Sequence, residues 1–337
     1  MTPRTIVIRR SEAGRTVAEI LRATGSLSWS AVGRLMSAGQ VWLNGSVCHQ
    51  PAQRVRAGQR LEIKGPERRK RKQPGGSGSA PHHEPPTRRH SAKPAAKDFA
   101  VEIRFVDSHI VVAEKPAGLT TVRHAGETAA FGARARRFLP PTLVDLLPGM
   151  LPKTAGRLRA VHRLDKETSG LVILARTAQA ERHLGLQFRA HTIDRRYLAV
   201  VRGKAKGERI ESLLLTDRGD GRRGSNPDGG DGQRAVTHVR VIDELGDYTL
   251  VECRLETGRT HQVRIHLGER GIPLCGDRVY DRPLHGAPLP DGSGFSRPAL
   301  HAALLAIDHP ASGKRMTWTS DLPTDMRELV GQLRKRK

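Results

Sequence analysis

The sequence predicts an α+β protein built on a mixed, largely antiparallel sheet, with a small helical and hairpin domain in front of it. Three observations carry this. Strand patterns follow one another after residue 99, interrupted by only two helical ones, without the regular strand-helix alternation of a parallel fold. A Pro-, Gly- and charge-rich stretch at 65–98 divides the 337 residues. No pattern recurs at a fixed period, so a solenoid or propeller is excluded.

The first domain spans residues 12–64. Val17, Ile20 and Leu21 recur at helical spacing, and Ser28 or Ser30 offers a cap for a second helix whose stripe is Val32, Leu35 and Met36, ending near Gly39. Val41 and Leu43 alternate before Asn44-Gly45, a pair suited to the positive φ angles of a tight hairpin turn, and "QRLEI" closes the unit as a strand.

Residues 65–98 hold no aromatic or large aliphatic side chain, so they bury too little surface to offset the entropy of ordering, which predicts a basic flexible linker. Its run Arg68 to Lys72 reads equally well as a solvated spacer or a nucleic-acid arm. The whole chain carries 58 Lys plus Arg against 34 Asp plus Glu, a net charge of +24. The linker supplies only about a quarter of that excess, so the folded parts remain basic and a polyanion is the first partner to consider.

The apolar run Ala302 to Ile307 is far short of the roughly twenty residues that cross a bilayer. The N-terminus has no apolar stretch followed by a small-residue cleavage site. These features predict a cytoplasmic protein with no membrane partner. Cys48, Cys253 and Cys275 are far apart and form no metal-ligand spacing, which argues against zinc and a disulfide framework and leaves reduced packing residues. His82 and His83 lie in the Pro-rich stretch and read as solvated.

In residues 99–335, "VEIRFVDSHIVVAEKPAGL" reads as two strands joined at Asp107 and Ser108, the second ended by Lys115-Pro116. Residues 171–175 form an apolar strand, and Thr177 is placed to cap a helix reaching about Ala190 with Leu184 and Phe188 on one face. "RRYLAVVRG" puts Tyr197, Ala199 and Val201 on one strand face. Strands near 235–244 and 248–256 follow, and "HQVRIHLGERG" reads as a short helix stopped by Gly271. Residues 216–232 read as a flexible, RNA-facing loop.

One block stands apart. Residues 160–170, "AVHRLDKETSG", set Asp165 among cations and then run into a glycine and the apolar strand. An Asp and Arg in a loop mean little alone, since exposed pairs contribute little to stability. With His162, Arg163, Leu164, Asp165, Thr168, Ser169 and Gly170 in the register HRLDxxTSG, however, the chain resembles the RluA-type pseudouridine synthases. Three further blocks stand in that family's order: "DSHIVVAEKPAGL", "RRYLAVVRG" and "LETGRTHQVRIHLGERGIPLCGD". The resemblance spans about residues 99–335. Residues 15–64 resemble the helix-helix-hairpin RNA-binding domain first recognised in a small-subunit ribosomal protein, on Ser30, Arg34, Leu35, Gly39, Val41, Asn44 and Gly45. Cations of such domains face RNA phosphates, which makes Arg34 and Arg54 candidates.

The resemblance implies a pseudouridine synthase fold with a catalytic cleft and a uridine-to-pseudouridine isomerisation. The product is an isomer, so the stoichiometry calls for no redox cofactor, nucleotide or metal, in keeping with the lack of a phosphate loop or dinucleotide fingerprint. The reaction needs one ionised carboxylate, acting on the sugar as nucleophile or removing a ribose proton, and both routes stay open. By resemblance that group is Asp165, with Arg264 of "HQVR" beside it to keep it ionised and oriented. Tyr197 is the matching base platform, although the family block usually reads Lys-Tyr and Arg196 stands here instead. Arg163, Arg259 and Lys115 are candidate RNA contacts. His162, in the same group, suits a loop-bracing hydrogen bond better than acid-base work, and Thr168 and Ser169 suit turn and capping positions. Large-subunit ribosomal RNA acted on by a monomer is the favoured assignment by analogy. Transfer RNA, or a non-catalytic RNA-binding or ribosome-assembly role on the same fold, are the alternatives.

Overall fold

The computed structural model describes residues 4–25, 32, 35–36, 39–48, 53–63, 99–123, 139–151, 157–216, 222–226, 229–283 and 286–336. The chain divides into two compact units, Met1–Ala92 with Arg123–Pro140 and Lys93–Val122 with Pro141–Lys337. The predicted linker at 65–98 lies outside the described residues.

The first unit holds β1 (Arg4–Val7), a 3-10 turn (Arg10–Glu12), α1 (Val17–Gly25), β2 (Val41–Leu43), β3 (Ser46–Val47) and β4 (Arg60–Ile63). Thr16 and Glu19 start α1 with a reciprocal cap: the Thr16 N–H donates to the Glu19 carboxylate at 2.6 Å and the Glu19 N–H donates to the Thr16 hydroxyl at 3.2 Å. Val17, Ala18, Ile20 and Leu21 bury completely in one cluster with Val41 and Leu61. The antiparallel order is β1-β4-β2-β3, with Asn44 and Gly45 at φ 50° and 81° in the β2–β3 turn. This unit begins before residue 12, because β1 pairs along β4 from Arg4↔Ile63 to Val7↔Arg60 and is followed by the buried Ile8. Val32, Leu35 and Met36 are helical and pack in the same cluster. Ser28, Ser30 and Arg34 lie outside the described residues. Arg54 is exposed and donates to the Gly14 carbonyl.

The second unit runs β5 (Glu102–Val106), β6 (Ile110–Lys115), α2 (Leu143–Leu146), β7 (Arg159–Ala160), β8 (Ser169–Ala175), α3 (Ala178–Ala190), β9 (Asp194–Arg202), β10 (Glu208–Leu215), β11 (Gly224–Ser225), β12 (Gln233–Leu245), β13 (Tyr248–Leu255), α4 (Gln262–Glu269), β14 (Leu300–Asp308), β15 (Arg315–Thr319) and α5 (Thr324–Lys335). The sheet order is β11-β10-β12-β13-β9-β14-β8-β6-β5, with β15 on β14 and β7 on β8. Among the described strand pairs only β8 with β14 is parallel, at His301↔Ser169 and Ala302↔Gly170, alongside an isolated parallel bridge between Thr120 and Thr142. The predicted α+β class with a mixed, largely antiparallel sheet is the observed one.

Strand alternation decides what each face covers. Val111, Ala113, Val172, Leu174, Tyr197, Ala199 and Val201 share one core cluster with Leu143 and Leu147 near α2 and with Val263 and Leu267 of α4. The intervening Ile110, Val112, Leu171 and Ile173 pack with Ala180 and Leu184 of α3. Thr177 caps α3, accepting from the Ala180 N–H at 3.0 Å. Val200 and Leu250 meet Met326, Leu329, Val330 and Leu333 of α5. Gly271, at φ 75°, follows α4 as expected.

Candidate active site

The loop between β7 and β8 explains why the HRLDxxTSG block has these residues. His162 Nε2 accepts from the Ile173 N–H at 3.0 Å and its ring lies on Phe188, centroids 4.9 Å apart. Burial, with the nearby Arg195 charge, pushes this imidazole down to about 3, so it is a neutral acceptor. Leu164 is buried, and the Thr121 hydroxyl takes both its backbone groups, accepting from its N–H at 3.1 Å and donating to its carbonyl at 2.8 Å. The Thr168 N–H donates to the Asp165 carbonyl at 3.1 Å, closing the turn. Ser169 Oγ meets His301 Nδ1 at 3.0 Å. Gly170 sits at φ 111°, and a Cβ there would run into the Ala302 carbonyl, so the parallel β8–β14 pairing needs glycine.

Two cations hold the loop from behind. Lys115 Nζ donates to the carbonyls of Pro116, Leu119 and Lys166 at 2.8, 2.7 and 3.1 Å. Arg297 Nη1 donates to the Glu167 carbonyl at 3.1 Å while its Nε and Nη2 grip Asp325. The carbonyls of both residues after Asp165 are thereby fixed.

Asp165 lines a cavity of about 410 Å³ together with His162, Arg163, Tyr197, Arg259, Arg264 and others. It is the only carboxylate among the described residues of that lining. Arg163, Arg189 and Arg259 are exposed in the cavity wall. Tyr197 is 8% exposed, and burial raises its hydroxyl, with Arg195 opposing and Asp165 adding to the rise, so the phenol stays protonated at neutral pH.

Two sequence-based expectations need correction. Arg264 is in the cavity wall, but its hydrogen bonds go to Asp277, Nε to Oδ2 at 2.6 Å and Nη2 to Oδ1 at 2.9 Å, rather than to Asp165. Burial pulls Arg264 down, yet Asp277 and the more distant Asp165 outweigh it and hold the guanidinium above its ordinary value. Lys115 cannot reach RNA: it is fully buried and its ammonium is occupied by three carbonyls. His162 lines the cavity, and its Nε2, holding the Ile173 N–H, braces the loop. Arg196 is not a site residue, since alternation along β9 turns it away from Tyr197 to pair with Asp194 at 2.8 Å.

Among the described residues the ion-pair contact of the Asp165 carboxylate is His261, with Nε2 3.8 Å from Oδ1. His261 starts α4 at φ 60° and its Nδ1 meets the Tyr280 hydroxyl at 2.8 Å. Burial, assisted by Arg264 and Arg223, lowers its pKa against the pull of Asp165 and Asp277. It therefore faces the carboxylate as a neutral imidazole at neutral pH.

A family model described as RNA pseudouridylate synthase matches residues 109–269. The ribosomal large subunit pseudouridine synthase D of Zymomonas mobilis is 40% identical over 246 residues, covering 70% of this chain and 74% of the relative. The chain belongs to the RNA pseudouridylate synthase family. The Pseudomonas aeruginosa protein of the same name is 38% identical over 248 residues, covering 71% of this chain and 73% of that one. The solved structure titled Human RNA Pseudouridylate Synthase Domain Containing 4 shares the fold, with a TM-score of 0.54, 24% identity and coverage of 69% of this chain and 93% of that one. As a pseudouridylate synthase the chain acts on RNA, and the cavity around Asp165 lies within the matched segment for all but Leu300 of its lining.

Sequence reasoning assigns no role to His261, Asp277, Tyr280 or Arg195. His261 was legible as the first residue of "HQVR". Arg195 was legible as the residue two before Tyr197 on the same strand face.

Proposed function

We propose that this RNA pseudouridine synthase isomerises uridines of large-subunit ribosomal RNA, with Asp165 as the reacting carboxylate on a nucleotide turned out into the cavity. The observation that carries the reading is the isolation of Asp165 as the sole carboxylate among the described lining residues, surrounded by cations and rings. Isomerisation breaks the bond between uracil N1 and ribose C1′ and rejoins the base through C5. An ionised carboxylate either bonds to C1′ or takes the 2′ proton, and both routes release the base as an anion. Tyr197 is the platform for the extracted base, its protonated phenol avoiding a second negative charge beside Asp165. Arg163 and Arg259, joined by Arg189, receive backbone phosphates at the rim.

The names of the relatives and the basic balance of the chain support ribosomal RNA as substrate. In this reading the first unit, with Arg54 exposed, adds RNA affinity, and the enzyme works as a monomer in the cytoplasm. The test is incubation with an unmodified large-subunit rRNA transcript followed by carbodiimide mapping. The expected result is new pseudouridine at defined positions, abolished in Asp165→Asn with RNA binding retained. Product only on transfer RNA would overturn the substrate, and an active Asp165→Asn protein would overturn the residue.

A further inference from the structure

We propose that Arg195 stabilises the negative charge that passes onto the uracil ring when its bond to ribose breaks. The inference rests on Asp165 as the reacting carboxylate, and it holds for either route that residue takes.

Arg195 lies on β9 two residues before Tyr197 and faces the same way. It is 7% exposed and lines the cavity. Its Nε has no hydrogen-bond partner, and its Nη2 makes only a long 3.4 Å contact with the Glu256 carbonyl. Phe188 lies 5.3 Å from the guanidinium carbon, and a Cβ on Gly258 would run into Nη1, so ring and backbone enclose the group. The other well-buried guanidiniums each have a carboxylate: Arg264 pairs with Asp277, Arg297 with Asp325, and Arg202 lies 4.0 Å from Asp291. Arg195 pairs with no carboxylate among the described residues. A buried, unpaired cation is costly to keep, and its place beside the reacting centre indicates that the missing counter-charge arrives with the substrate.

Two parts of an RNA substrate could bring that charge. Phosphates are large, hydrated and peripheral, and the exposed Arg163, Arg189 and Arg259 suit them. Arg195 is enclosed, and Tyr197 lies within electrostatic range of both Arg195 and Asp165. A base over Tyr197 therefore has the carboxylate and the guanidinium both at hand. When the N1–C1′ bond breaks, its electron pair goes to N1 and spreads to O2 and O4 of the ring. Arg195 donates an N–H to one of these oxygens and keeps its proton. Rejoining makes the C5–C1′ bond as the Asp165–C1′ bond breaks or as Asp165 returns the proton to C2′; the C5 proton departs and N1 gains one, so no atom or electron is left over.

The experiment compares wild type, Arg195→Lys and Arg195→Met in single turnovers at saturating enzyme, on RNA carrying uridine or 5-fluorouridine at the target. Arg195→Met is expected to lose about 10²–10³-fold in bond-breaking rate on uridine, the scale of one lost donor to a developing anion. RNA affinity and its salt slope should stay as in wild type. Fluorine withdraws electrons from the ring, so the deficit should shrink on 5-fluorouridine, with Arg195→Lys intermediate. The melting temperature of Arg195→Met should hold or rise, because an uncompensated buried charge is removed. An unchanged rate on uridine would overturn the inference, as would a deficit equal on both bases, or weaker binding with a shallower salt slope and a normal saturated rate. Wild type without product in the same assay would instead overturn the underlying substrate reading.

Discussion

Arg264 and Asp277 form a two-point pair at 2.6 and 2.9 Å around a carboxylate with no exposed surface. The same carboxylate accepts from the Val279 and Tyr280 N–H groups at 2.9 and 3.1 Å, tying α4 to the turn after it. Burial raises the Asp277 pKa, and the bonds and charge of Arg264 with the two backbone donors overcome it and hold the group below its ordinary value. Asp277→Asn leaves Arg264 buried without its counter-ion. We expect a loss of about 3–5 kcal/mol in urea unfolding, with a slower reaction because Tyr280 and His261 lose their support.

Gly170→Ala tests the joint between β8 and β14. The left-handed backbone alone is expected to cost about 1–3 kcal/mol, and the collision with Ala302 adds to it. The variant should be poorly soluble or melt well below wild type. A melting temperature equal to wild type would show that the two strands can separate without consequence.

Lys115 gives a pH dependence with a definite sign. Burial, opposed by the charges of Glu167 and Asp165, lowers it to about 7. The unfolded chain holds that proton up to about pH 10.4. Between these values the unfolded state binds more protons than the native one, so the stability tied to Lys115 rises with pH, by up to about 1.4 kcal/mol per unit. It is lost as pH falls through about 7. Urea unfolding of wild type and Lys115→Met between about pH 6 and pH 9 isolates this side chain, and the difference should move in favour of wild type as pH rises.

Arg163, Arg189 and Arg259 are exposed cations, so each should contribute about one counter-ion to the salt dependence of RNA binding. Replacing any one by Ala should flatten the log-log slope by about 0.7 to 0.9 and weaken binding alike across RNA sequences. A filter-binding titration against salt concentration checks this, and an unchanged slope would place the residue off the RNA path.

Much of this molecule was legible because its signals are local. The cap at Thr177, the turn at Asn44-Gly45, the alternation of Tyr197, Ala199 and Val201, and the stop at Gly271 each depend on a few neighbouring residues. The HRLDxxTSG block was legible by resemblance, but its reasons are long-range: Thr121 on Leu164, Ile173 on His162, Ala302 against Gly170. The same distance hid Asp277, since nothing in the spacing of "HQVR" says which carboxylate an arginine will take. Helix α5 went unread although Met326, Leu329, Val330 and Leu333 follow helical spacing, and β14 was noticed only as a short apolar run. Lys115 looked like an RNA contact because a lysine at a strand end is usually solvated, and only tertiary burial reverses that.

Strand β14 comes late in the chain yet sits between β9 and β8, and its Leu300 forms part of the cavity wall. The two halves of the sheet have no shared edge until it inserts. A nascent chain still tethered at residue 280 can therefore fold pieces of the enzyme but not its reaction chamber. Maturation must await synthesis of β14, and such distant pairings are slow to form.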